Sequence, residues 1–257
     1  MFIHPYDYAA EASRFSELVE QYADREKELA EERAEAAEKE FARGGETIVR
    51  GFYNPSPLED AITEGRGRGS LTKVFSPKTT KFIYSFDAAG RIMTIESVDH
   101  GKVWAKEYII NRKSESLGFL YDAEGRLTRI SEERYADGKL TEWSVFQFFN
   151  IQPESWDLDC DQYSYQDGAL ISMTNHQCHK LASAPSFAMP GLAQFLSLPE
   201  NGVIHRIWAY GDFEIRENAV YGYSLTTSGA HGPRPTQVVK LSKPIFFSFA
   251  PARSRWK

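Results

Sequence analysis

Between residues 80 and 149 apolar positions recur with a period of two. Phe82, Tyr84 and Phe86 alternate with Ile83 and Ser85, the spacing of a strand. "DAAG" (87–90) then turns the chain, "RIMTIESV" returns, "DHGK" (99–102) turns again, and "VWAKEYII" leaves as a third strand. The same design recurs with "LGFLYD", "AEG", "RLTRISEERY", "ADGK" and "LTEWSVFQFF". Asp122 stands 35 residues after Asp87, and Gly90, Arg91 and Ile95 have their counterparts in Gly125, Arg126 and Ile130. Asp at the first position of such a corner accepts a hydrogen bond from the backbone two residues on. Gly at the fourth adopts the left-handed conformation that closes a bulged hairpin. Residues 163–171, "YSYQDGALI", form a shortened third copy, and 207–225 a degenerate fourth ribbon.

The other period is helical. Residues 8–42 contain no Pro or Gly and are rich in Ala, Glu, Lys and Arg. "RGG" at 43–45 supplies a last-turn cation and a glycine stop. One long helix over 8–43 is expected. Phe15, Leu18, Val19 and Tyr22 form an apolar stripe only in its first half, so that half docks and the second projects or lies loosely. "TIVRGFY" (47–53) reads as a strand, "EGRGRGSLTK" (64–73) as a surface loop without phosphate-loop spacing, and 190–198 as a short helix.

Residues 121–127, Tyr-Asp-x-x-Gly-Arg-Leu, resemble the core of the YD, or rearrangement-hot-spot, repeat. The upstream copy carries Phe86 and Ile92 in place of Tyr and Leu. In the large toxins of that family many such repeats wind a sheet into a hollow shell. Two to four copies cannot enclose anything. The same phrase occurs in small immunity proteins of polymorphic and contact-dependent toxin systems, which this chain resembles in size and acidity. The resemblance implies a cytoplasmic, non-catalytic protein whose partner is a cognate toxin domain, such as a nuclease, blocked by an acidic surface.

Composition narrows the classes. Aromatic residues make up 14% of the 257, which favours β structure. The net charge is −6, with eleven acids against six bases over 11–43 and three against eight over 201–257. An acidic chain is a poor nucleic-acid binder and a reasonable binder of basic surfaces. No apolar run approaches the roughly 20 residues of a membrane span, and no basic-then-apolar leader is expected at the start. Cys160 and Cys178 are expected to be reduced thiols.

Candidate chemistry is sparse. Asp157, Asp159 and Asp161 share one face if extended, but calcium-loop spacing fails at Gln162 and Gly168. His176 and Cys178 would share a strand face that His179 would not, and with Cys160 they imitate a zinc set without its usual spaced pairs. Glu107, Glu132, Glu133 and Glu142 could provide a hydrolytic carboxylate pair. Tyr84, Trp104, Tyr121, Trp143, Trp156 and Trp208 could stack on sugars or build a core.

The expectation is a single α+β domain dominated by β structure. A long N-terminal helix precedes an antiparallel meander curled into a partly open barrel or sandwich. Hairpin repeats occupy 46–175, and 176–257 completes the sheet. No cofactor, metal or catalytic residue is assigned. The partner-binding candidates are Glu28, Glu31, Glu32, Glu35 and Glu38 on the helix, and Asp157, Asp159 and Asp161 on an edge strand. The alternatives are a ligand-binding β-module with exposed aromatics and a carboxylate-pair hydrolase.

Overall fold

The computed structural model describes residues 6–59, 67–149, 152–180, 203–216, 219–228 and 231–241; for 203–241 only the backbone is described. The expected helix at 190–198 and the basic C-terminal end lie outside the described residues. Two helices, α1 (Tyr8–Tyr22) and α2 (Glu26–Glu32), precede thirteen strands. These are β1 (Glu38–Arg43), β2 (Ser70–Thr72), β3 (Thr80–Phe86), β4 (Ile92–Asp99), β5 (Lys102–Asn111), β6 (Glu115–Asp122) and β7 (Leu127–Ala136). There follow β8 (Lys139–Phe149), β9 (Gln152–Gln166), β10 (Ala169–Lys180), β11 (Val203–Arg216), β12 (Ala219–Ser228) and β13 (His231–Leu241). From β3 to β13 each strand pairs with the next, an antiparallel meander in one open sheet. Among the described residues the sheet is not closed into a barrel: β13 and β2 are its two edges.

The twin corners have the geometry their residues dictate. Asp87 Oδ1 accepts from the Ala89 and Arg91 amides at 2.9 and 2.8 Å, and Asp122 Oδ1 from Glu124 and Arg126 at 3.0 and 2.9 Å. Gly90 and Gly125 have φ of 74° and 76°. The Arg side chains fold back onto their own Asp at 2.8 and 2.7 Å, on the surface. Burial opposes ionisation of both Asp groups, but the turn amides and the guanidiniums outweigh it and hold both below the usual carboxylate range. The intervening hairpins turn on His100–Gly101, Asp137–Gly138 and Asp167–Gly168, all with positive φ, as a tight two-residue turn requires.

The expected helix over 8–43 is corrected to two helices and a strand. Helix propensity is a weak prior. The open edge of β3 offers a ladder of backbone groups, and Glu38–Arg43 takes it, with Phe41 opposite Ile83 and Ala42 opposite Phe82. Both helices dock. Phe15, Tyr22 and Leu29 are buried with Tyr108, Phe119, Tyr121, Ile130 and Phe146 on one face of the sheet. Phe15 stacks on Phe146 at 5.3 Å and Tyr22 on Phe119 at 3.9 Å. Asp7 caps α1 by accepting from the Ala10 amide at 3.0 Å.

The second face is covered differently. After β1 the chain leaves the sheet at Gly44 and returns at Gly69 to form β2 on the outer side of β1. The described parts of this strap lay Tyr53 on Phe82, Tyr84, Phe86, Ile95 and Ile109, and Leu58 on Leu140, Trp143, Tyr163 and Met173. Its ends nearly touch, since a side chain on Gly44 would reach the Gly69 Cα. "TIVRGFY" is therefore not a strand; Gly51–Tyr53 is a single 3-10 turn.

Candidate functional site

The strap side chain that reaches deepest is Arg50. Its backbone has φ 63°, rare outside glycine, and its side chain is 3% exposed. The Arg50 carbonyl accepts from the Tyr84 hydroxyl at 3.0 Å, and the same hydroxyl accepts from the Phe52 amide at 3.0 Å. One phenol thus fixes the turn that aims the guanidinium. That group donates to Glu107 at 3.0 Å, Glu133 at 2.5 Å and the Ser131 hydroxyl at 2.9 Å, and lies 4.8 Å from the Trp143 ring centre. Register explains the convergence. Gly118 lies opposite Ile109 on one side and Ser131 on the other, and Glu133 lies opposite Ser116. A Cβ on Gly118 would collide with Glu107 Oε1, Arg50 Nη2 and Ser131 Oγ, so a glycine in mid-strand opens the space for the guanidinium.

Burial raises the Glu107 carboxyl, but Arg50, Arg129 and the Ser131 hydroxyl outweigh it and hold the group low. Burial lowers Arg50, and the two carboxylates more than restore it. Arg129, 3.6 Å from Glu107, stays depressed because its own burial dominates.

Beside this network a cleft of about 810 Å³ opens on the same face. Its floor includes Arg50, Glu133, Ile92 and Ile109, and Tyr53 and Pro55 of the strap form one wall. Its rim carries Arg91 from the β3–β4 corner, Arg112 and Lys113 from the β5–β6 turn, and Asp137 from the β7–β8 turn. Tyr135 also lines it and donates to Glu133. Arg50 and the cleft were not singled out from the sequence. The available signal was Gly118, a glycine inside the second copy's strand, which marks close approach by another group.

The sequence candidates fall into two separate groups. Glu28, Glu31 and Glu32 on α2, Glu35 in the following coil and Glu38 at the start of β1 are all exposed. Over 24–40 the chain has eight acids and four bases. Glu28 and Glu32 pair locally with Arg25 and Arg33 at 2.7 and 2.9 Å. Asp157, Asp159 and Asp161 do share one face, as alternation requires, but it is the strap face, opposite the helices. Their strand is not an edge, because β9 lies between β8 and β10. Asp161 is buried beneath the strap. Its carboxylate accepts from Ser56 at 2.6 Å, Tyr163 at 2.9 Å and Asn175 at 2.8 Å, so it cannot present charge to a partner. Asp157 pairs with His179 at 2.7 Å. Asp159 is exposed along its length, yet its carboxyl lies against Asn175 and Asp161. Desolvation there and the like charge of Asp161 push it up to about 7, and burial raises Asp161 as well.

The metal-like sets dissolve into other roles. Cys160 and His176 are cross-strand neighbours on the helix face, Cys178 lies two residues on, and His179 points to the opposite face. Burial, and then Glu142, lift the Cys160 thiol well above its ordinary value, which disfavours a free thiolate there. The Glu11, Glu132 and Glu142 carboxylates come within 4.8 Å of one another, but Arg14 and Arg134 occupy the space among them. That cluster ties α1 to β7 and β8. Of the named aromatics, Tyr84, Tyr121 and Trp143 are buried, Trp156 is half-buried, and Trp104 is 54% exposed.

Compared with protein-family models, with curated proteins and with solved structures, the chain has no match.

Proposed function

We propose that the protein is a non-catalytic binding scaffold, an immunity-type protein that blocks a basic protein domain with the acidic ribbon of α2 and its exit to β1. The observation that carries this reading is that Glu28, Glu31, Glu32, Glu35 and Glu38 are all exposed along one short stretch anchored by buried Leu29. A rigid acidic ribbon speeds association with a cationic cleft and competes there with phosphate. Within the Asp157–Asp161 row, assigned to the same role from the sequence, Asp161 is buried beneath the strap and adds no charge to such a surface. The Glu107 and Glu133 carboxylates are matched by the Arg50 and Arg129 guanidiniums, which suits a scaffold better than acid–base chemistry.

Co-expression with the product of the neighbouring reading frame, as the candidate toxin, tests the reading. Growth is protected and a complex co-purifies, and Glu28→Lys/Glu31→Lys/Glu32→Lys abolishes both. Absence of complex and of protection with the wild-type chain refutes it. One observation favours hydrolysis instead, the raised Asp159 beside Asp161. Against that stands the engagement of both Asp161 oxygens by Ser56, Tyr163 and Asn175.

A further inference from the structure

The cleft beside Arg50 has a chemistry opposite to that of the chain as a whole. At about 810 Å³ it falls within the roughly 300–1,000 Å³ typical of small-molecule sites. Within it Arg50 and Glu133 cancel. What remains on the rim is Arg91, Arg112 and Lys113 against Asp137, on a protein of net charge −6.

These rim cations are available. Lys113 is exposed and makes no ion pair among the described residues. Among the described residues Arg112 pairs only with Glu115, three residues away on its own turn, and an exposed pair of that kind holds its cation weakly. Arg91 pairs with Asp87, but the Asp87 carboxylate also accepts from two turn amides, so it stays satisfied if Arg91 swings away. Below the cations the cleft is apolar along Tyr53, Pro55, Ile92 and Ile109. A cationic rim above a floor where Ile92 and Ile109 adjoin the mutually paired Arg50 and Glu133 matches a ligand with an anionic head and an apolar body.

We propose that this cleft binds a small amphipathic anion, its carboxylate or phosphate head held by Arg112 and Lys113 and its apolar body lying along Ile92 and Ile109. The cleft lies on the strap face; Glu28, Glu31 and Glu32 of the acidic ribbon lie on α2, which packs on the helix face through Leu29, while Glu38 stands opposite Phe86, the β3 partner of Ile92.

Calorimetric titration of the full chain with decanoate, decyltrimethylammonium and acetate tests it. Decanoate binds one to one, at least tenfold more tightly than the cationic amphiphile, and acetate gives no measurable binding. Arg112→Glu/Lys113→Glu weakens decanoate at least tenfold, equivalent to about 1.4 kcal/mol. Lys113→Glu alone weakens it in the same direction and guards against misfolding of the double variant. Lys102→Glu, at the far end of β5, leaves affinity unchanged. Equal affinity for the two amphiphiles, absence of decanoate binding, acetate binding as tight as decanoate, or indifference to the charge reversals each overturns the proposal.

Discussion

One sheet carries two covers, built on different principles. The helix cover is regular. Its backbone bonds lie largely within the helices, with the Tyr22 carbonyl taking the Tyr121 hydroxyl at 2.6 Å, and Phe15, Tyr22 and Leu29 pack on apolar surface beneath them. The strap is irregular, and its backbone groups must find partners elsewhere. Tyr84 serves the Arg50 carbonyl and the Phe52 amide, Asn54 donates to the Val49 carbonyl at 2.8 Å, and Arg68 donates to the Phe52 and Asn54 carbonyls. The sheet face beneath the strap is correspondingly polar, with Glu107, Ser131, Glu133, Asp161 and Asn175 buried. The helix cover also has a polar tie, Arg14 on buried Glu132, but its buried contacts are mainly apolar, whereas the strap is placed chiefly by buried polar ones. The cleft stands beside the fixed cover, where a site gains from a rigid wall.

The largest test of this contrast pairs Arg50→Met with Phe15→Ala. Each is expected to cost about 3–5 kcal/mol in urea unfolding, the first by stranding two buried carboxylates, the second by leaving a cavity. The two differ in rescue. Adding Glu107→Gln and Glu133→Gln to Arg50→Met recovers much of the loss, and no charge change rescues Phe15→Ala. A loss below about 1 kcal/mol for Arg50→Met would show that the strap is held by its apolar contacts alone.

Tyr84→Phe sharpens the comparison at lower cost. Removing one hydroxyl leaves a buried carbonyl and amide unserved, about 1–3 kcal/mol. Hydrogen exchange should accelerate over 50–56 while amides of α1 keep their protection. Smaller still is Asp122→Ala, at about 1 kcal/mol for its lost turn bonds. Asp87→Ala should match it within error, because the two corners have the same bonds. A large difference between them would mean that one corner does more than turn the chain.

The mildest test is pH. Asp159 is raised in the folded chain to about 7 from an ordinary 3.8, so it favours folding when protonated. That contribution is complete below about pH 4 and lost as pH rises through 7. Glu107 is held low and acts oppositely, its contribution being lost only as pH falls below the ordinary carboxylate value. Between pH 8 and pH 5 the melting temperature should therefore rise, and Asp159→Asn should flatten the rise. An unchanged slope in the variant would assign the effect elsewhere.

The hairpins from 80 to 149 could be read directly, because their signals lie within a few residues of one another. The strand β1 could not, since nothing in "EKEFAR" outweighs its helical composition until β3 offers an edge. Nor could the site. Glu107 and Glu133 stood out as candidate carboxylates, but Arg50, 57 and 83 residues away from them, did not.

The linear chain alone settled the β-dominated class, the positions of the corners, and the side-chain alternation that puts Asp157, Asp159 and Asp161 on one face. Each depends on backbone geometry local to a few neighbouring residues. Only the tertiary structure decided which face that is, that Asp161 lies beneath Ser56 rather than toward a partner, and that a buried guanidinium joins two strands beside a cationic cleft. Those outcomes depend on contacts between residues tens of positions apart, and no local pattern encodes which distant group will meet a given side chain.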